Sequence, residues 1–285
     1  MSRPPTFVPP SCARSLRLAT SRGEFAVLDA RPSGEPRGTA LLLPGYTGSK
    51  EDFIALLAPL AGAGFRAVAV DGRGQYETGG PADREEPYAQ QELASDVLAQ
   101  AAAVGPGVHL VGHSLGGQIS RAAVLRDTSP FASFTLMSSG PAEVSPAQQE
   151  KVELLAGALA VMSMDEVWTA MQTFEGSAPE DAAEGTDGDR EDLRRRWLLH
   201  SPAQLLATGR QLRSEPDRTQ ELAAVGLALH VLSGDEDDTW PIGLLDDMAL
   251  RLKAARTVVD GAGHSPNTDR PEETARALVR FWEGC

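Results

Sequence analysis

Short apolar runs of strand length recur along the chain: Thr39–Leu43, Arg66–Val70, Val108–Val111, Phe134–Met137 and Ala228–Leu232. Such runs suit strands buried on both faces. Between them lie segments with helical periodicity. One runs from about Lys50 to Ala63 with apolar positions 53, 54, 57 and 60. A second is Glu92–Val104. A third begins at Gly117 and sets Ile119, Ala122, Ala123 and Leu125 on one side. Ser15–Thr20 and Glu24–Ala30 read as two further strands joined at Ser21-Arg22-Gly23, and the Pro- and Gly-rich Arg31–Gly38 reads as a loop. Strands alternating with helices predict an α/β chain with a mostly parallel, doubly wound sheet.

The rhythm changes after about Gly140. Up to Ala224 no strand pattern appears, and helices are predicted at Ala147–Met162, Asp165–Thr173, Arg190–Leu199 and Pro202–Leu212. Glu175–Asp192, rich in Gly and acids, reads as a mobile surface loop. Alternation resumes with Ala228–Leu232, a helix at Ile242–Leu252, a strand at Thr257–Val259 and a final helix at Pro271–Trp282. A helical block inserted between two strands of one sheet is expected to form a cap. The expected division is a flexible N-terminal arm over 1–14, an α/β core over 15–140 and 225–285, and a helical cap over 141–224.

Composition narrows the function. The 285 residues carry a net charge of −14, which disfavours nucleic acid and anionic membranes as partners. The apolar runs Leu154–Met162 and Ala223–Leu232 are too short to span a bilayer, and the proline-rich start does not resemble a secretory signal. Cys12 and Cys285, near opposite ends, set no disulfide framework, so a cytoplasmic location is the default expectation. The histidines at 109, 113, 200, 230 and 264 show no metal-binding spacing, and no metal is expected. Oligomeric state leaves no mark in the sequence.

The candidate chemistry centres on Val108–Gln118. A strand runs into Gly112-His113-Ser114-Leu115-Gly116, and a helix follows. Strand, G-x-S-x-G, helix is the context of a nucleophile elbow, in which glycines relieve clashes around a strained serine. A serine hydroxyl needs a base beside it, usually a histidine oriented by a carboxylate. His264, in the turn Gly261-Ala262-Gly263-His264-Ser265 after the strand Thr257–Val259, has the right place and chain order. His109 and His230 lie inside strands, and His113 adjoins the serine. The acid is expected after Ala228–Leu232, in Ser233-Gly234-Asp235-Glu236-Asp237-Asp238-Thr239-Trp240-Pro241. Asp237 is preferred, with Asp235 and Asp238 as alternatives.

With these residues the chain resembles the α/β-hydrolase superfamily over about residues 15–283. The resemblance implies an eight-stranded sheet. It matches Gly234–Pro241 to a G-x-x-D-x-x-x-P acid turn, which places the acid on Asp237; Glu143 is a remote candidate, because some relatives take the acid from that position. Asp71-Gly72-Arg73-Gly74 resembles the family's structural D-x-R-G turn. The oxyanion donors implied are the backbone amides of Leu115 and Tyr46, although Pro44-Gly45 stands where the family often has His-Gly. The implied activity is hydrolysis of an ester or thioester of a small-to-medium apolar acyl group through an acyl-enzyme, with no cofactor. Carbon–carbon bond hydrolysis, acyl transfer or perhydrolysis on the same triad are alternatives, and a non-catalytic ligand-binding module is a remote one. A serine at this position argues against dehalogenase and epoxide hydrolase chemistry, which use an aspartate there. Substrate contacts are expected from Trp168, Met171, Trp197 and Trp240, with Met162, Met164, Phe174 and Tyr46 as further candidates.

Overall fold

The apolar runs assemble into one eight-stranded sheet. A computed structural model describes residues 3–175 and 187–285. The strands are β1 (Ala13–Thr20), β2 (Gly23–Ala30), β3 (Thr39–Leu43), β4 (Arg66–Val70), β5 (Val108–His113), β6 (Phe131–Met137), β7 (Ala228–Gly234) and β8 (Ala255–Val259). They lie in the order β1-β2-β4-β3-β5-β6-β7-β8. The β1–β2 and β2–β4 pairs are antiparallel and all later pairs are parallel.

The helices are α1 (Ile54–Gly62), α2 (Gln90–Val104), α3 (Leu115–Arg126), α4 (Pro146–Leu159), α5 (Met164–Glu175), α6 (Asp187–Leu199), α7 (Pro202–Ser214), α8 (Thr219–Ala223), α9 (Ile242–Leu252), α10 (Pro266–Asp269) and α11 (Pro271–Trp282). Successive side chains of a strand point to opposite faces. Leu41, Leu43, Val68, Val70 and Leu110 therefore join α2, α3 and α9 in one core. Ala40, Leu42, Ala67, Ala69 and Val111 join α1 and α11 in another. Each fully buried Leu or Val contributes roughly 1.5–3 kcal/mol, which is why the central strands read as unbroken apolar runs. This is the α/β-hydrolase fold.

Among the described residues, the chain between β6 and β7 is helical, from α4 to α8. The expected surface loop at Glu175–Asp192 needs correction. Residues 187–192 already belong to α6, because Asp and Glu suit the positive end of a helix even where the composition resembles a loop. Residues 176–186 lie outside the described residues. The short α8 and α10 escaped sequence detection, since one turn carries too little periodicity to register. None of the described helices is long and apolar enough to cross a membrane.

Strand order locates the site. From β3 the sheet grows toward β4 on one side and toward β5 on the other, so the loops leaving these strands diverge and open a crevice at their C-terminal ends. The loop after β3 is held by buried charge. Lys50, only 1% exposed, begins a one-turn 3-10 helix ahead of α1. Its ammonium meets Asp71 at 2.9 Å and Glu51 and Glu77 at 2.8 Å each. Its amide donates to Asp71 Oδ1 at 2.7 Å. Asp71, in the D-x-R-G turn after β4, thus ties that turn to the β3 loop. Burial pushes its carboxyl up to about 7 against the pull of Lys50. Lys50→Met would leave the carboxylate buried without its cation, and is expected to lower unfolding stability by about 3–5 kcal/mol near pH 8. The loss should shrink on acidification, as Asp71 takes up a proton. Urea denaturation near pH 8 and again below the Asp71 value of about 7 checks this, and an equal deficit at both would contradict it.

Candidate active site

Ser114 follows β5 directly, with φ 54° and ψ −121°. A non-glycine residue with this backbone costs about 1–3 kcal/mol, and the surroundings enforce it. A Cβ on Gly112 would fall 2.5 Å from the Gly116 carbonyl oxygen, and one on Gly116 would fall 2.5 Å from those of Leu43 and Pro44. Only glycines let β5, the start of α3 and the β3 loop approach so closely. The Ser114 amide donates to Met137 O at 2.9 Å, and its carbonyl accepts from the Gly117 amide at 2.9 Å. The helix begins at Leu115, two residues before the apolar periodicity does, because Gly116 and Gly117 are absorbed into its first turn.

The structure brings Ser114, His264 and Asp237 together. His264 Nε2 lies 3.0 Å from Ser114 Oγ, and His264 Nδ1 lies 2.9 Å from Asp237 Oδ1. The ionised carboxylate can only accept, so Nδ1 carries the proton and Nε2 presents its lone pair to the hydroxyl. Asp237 Oδ1 also accepts from the Thr239 amide at 2.9 Å. Burial raises the Asp237 pKa, but the hydrogen bond and charge of His264, the Thr239 amide and the Ser138 hydroxyl outweigh it and hold the carboxyl below its ordinary value. The two alternatives in this turn, Asp235 and Asp238, are engaged elsewhere. Asp235 accepts from the Ala262 amide at 3.2 Å, and Asp238 accepts from Gln148 Nε2 at 3.3 Å. Glu143 is exposed.

Two neighbours brace the pair. Burial pushes His113 down to about 4, so its ring is neutral, and Nε2–H donates to the His264 carbonyl at 2.8 Å. Gln75 Nε2 donates to the Gly45 carbonyl at 2.8 Å and holds the Pro44-Gly45-Tyr46 loop over Ser114. A Cβ on Gly45 would lie 3.2 Å from that of Ser114. Neither the Tyr46 nor the Leu115 amide has a backbone acceptor among the described residues; at the start of α3 no earlier carbonyl is within reach.

A cavity of about 720 Å³ opens above Ser114 and His264. Met171 and Trp197 line it, as do Met162 and Tyr46. Trp168 and Trp240 do not, which corrects two expected substrate contacts. Trp168 packs between helices with Val167, Trp197 and Leu205. Trp240 is fully buried beside Gly140, and its indole N–H is shared between the carbonyls of Ala142 and Glu143 at 3.2 and 3.1 Å. Its bulk backs the acid turn. Met164 is absent from the lining, and the Phe174 side chain lies outside the described residues. The lining that sequence reasoning missed is the α4 stripe Gln148, Lys151, Val152, Leu155 and Ala158. Its i, i+3, i+4, i+7 spacing was legible; what the stripe faces was not. Among the described residues no cluster suited to a metal ion is present.

The chain belongs to the alpha/beta hydrolase family, whose model matches residues 40–277. It is similar to a pimeloyl-[acyl-carrier protein] methyl ester esterase of Aeromonas hydrophila, 27% identical over 238 residues, covering 79% of this chain and 88% of that protein. It is also similar to a 2-hydroxy-6-oxononadienedioate/2-hydroxy-6-oxononatrienedioate hydrolase of Paraburkholderia xenovorans, 25% identical and covering 95% of both chains. The structure of a thermophilic esterase from Thermogutta terrifontis shares the fold, with a TM-score of 0.73, 20% identity and coverage of 95% of this chain and 99% of that one.

The strained elbow has a measurable cost. Ser114→Gly should relieve it and Ser114→Ala should not, so the glycine variant is expected to be the more stable by about 1 kcal/mol. Equal denaturation midpoints would contradict the strain.

Proposed function

We propose that this chain is a serine hydrolase that cleaves an ester or thioester of a small-to-medium apolar acyl group. The observation that carries the reading is the unbroken hydrogen-bonded line from Asp237 through His264 to Ser114, opening into an apolar cavity. Ser114 Oγ attacks the carbonyl carbon while His264 Nε2 takes its proton. Asp237 stays ionised and stabilises the imidazolium. The amides of Tyr46 and Leu115 stabilise the oxyanion, a role worth about 3 kcal/mol per donor. His264 then protonates the leaving group, and water repeats the cycle on the acyl-enzyme. No step calls on a cofactor. The helices from α4 to α8 act as a cap that shapes the acyl pocket.

The similarity to a methyl ester esterase supports ester cleavage. The similarity over 95% of both chains to an oxo-dienedioate hydrolase favours one second reading: hydrolysis of a carbon–carbon bond beside a ketone, on the same three residues. Wild-type protein should react with a fluorophosphonate at Ser114 and turn over p-nitrophenyl esters, with kcat/KM rising with chain length until the cavity is filled. No labelling would remove the enzyme reading; labelling without ester turnover would favour the second chemistry.

Asp237→Asn is expected to lower kcat by about 10⁴-fold by favouring the wrong imidazole tautomer. The lowered Asp237 pKa also has a stability consequence. Its contribution is present above the ordinary aspartate value of about 4 and is lost as pH falls through the depressed folded value. The stability gap between wild type and Asp237→Asn should therefore close in acid, and a gap that widened there would contradict the assignment.

A further inference from the structure

We propose that the substrate carries a negative charge remote from the scissile bond and that Lys151, at the cavity mouth, recognises it. The inference rests on the hydrolase reading above and narrows its substrate class. Lys151 lines the cavity yet remains exposed, whereas Ser114 is 7% exposed at the floor. Ser114 and Lys151 therefore line the same cavity, one from a buried position and the other from an exposed one.

The placement is unusual for this chain. Acids outnumber bases, 40 to 26, and many of the arginines have a carboxylate partner. Lys151 has none within ion-pair distance among the described residues. On a helix, the neighbours that can face a side chain are three and four positions away. For Lys151 these are Ala147, Gln148, Leu154 and Leu155, all uncharged. Glu150 and Glu153 flank it in sequence but project from other sides of α4, and Glu153 pairs with Arg213 at 3.3 Å.

Two acids also line the cavity. Asp52 is fully buried against Arg196 at 2.8 Å. Asp238, exposed at the rim, accepts from Gln148 at 3.3 Å. Beside Lys151 the α4 stripe continues as Val152, Leu155 and Ala158. The cavity is thus mostly apolar, with the nucleophile at a buried position of its lining and one exposed lysine, Lys151, and one exposed carboxylate, Asp238, among its described lining residues. That pattern suits an aliphatic chain ending in a carboxylate or another anion.

The test compares matched esters. One series is the methyl hemiesters of adipate and longer diacids against the neutral methyl alkanoates of equal length. The other places the carboxylate on the alcohol side, as ω-carboxyalkyl hexanoates against alkyl hexanoates. Wild type should prefer the anionic member of at least one series by roughly tenfold in kcat/KM, the scale of one partly desolvated ion pair. The preference should reside in KM and weaken with added salt. Lys151→Ala should abolish it, Lys151→Glu should reverse it, and Lys253→Gly, which removes a lysine charge outside the cavity lining, should retain it. The inference is overturned if wild type shows no anionic preference in either series, or if Lys151→Ala keeps it. Turnover of the neutral esters separates these outcomes from failure of the hydrolase reading, in which neither member of any pair is cleaved.

Discussion

The tight turn at Ser114 is the constraint to which the rest of the site conforms. Its backbone sits in a region that side chains avoid, and it is held there because three backbone segments meet around it without intervening side chains. Gly112, Gly116 and Gly45 permit that meeting. Their small size brings the β3 loop within contact distance of the serine and sends α3 away from the end of β5. The same crowding lifts the hydroxyl off the sheet toward the cavity. The strain is borne by the two large apolar cores that clamp β5 on both faces.

Around that turn, polarity is arranged by direction as much as by charge. His264 is fixed at three points: a carboxylate on Nδ1, a hydroxyl on Nε2 and the His113 Nε2–H on its backbone carbonyl. The acid turn and the histidine turn are themselves stitched together, since Asp235 and Glu236 both bond to Ala262. A rotation of either turn would have to break these bonds together. This coupling keeps a relay built from distant parts of the chain in register.

Buried polar contacts tie the inserted helices to the core beside this relay. Arg196 of α6 pairs with Asp52, both inaccessible to solvent. The Tyr46 hydroxyl donates to the Leu205 carbonyl of α7 at 2.8 Å. His200 lies between the carbonyls of Arg196 and Gly48, at 2.8 and 3.1 Å. Burial keeps its ring neutral, with its pKa down to about 4, so it donates to only one of them. Removing one partner of such a buried pair leaves an unpaired group at a cost of several kcal/mol. The helices therefore meet the β3 loop in one arrangement, and the cavity takes its shape from it.

Much of this was legible in the chain. Thr39–Leu43, Arg66–Val70, Ile242–Leu252 and Pro271–Trp282 stand with the limits their patterns predict, because burial on one or both faces writes itself directly into apolar spacing. Ser114 and His264 could be read from glycine-flanked turns after strands, since such turns need particular residue types. The tertiary structure decided what spacing does not encode. Among four consecutive carboxylates, the resemblance to a known acid turn singled out Asp237, but apolar spacing did not; the approach of the His264 loop buries Asp237 and leaves Asp235 and Asp238 exposed. Trp168 and Trp240 looked like pocket walls because large aromatics suit both a core and a ligand, and packing put them in the core. The α4 stripe that faces the cavity carries an ordinary amphipathic pattern; its partner is empty space above Ser114, and a sequence pattern records which face is covered without recording what covers it.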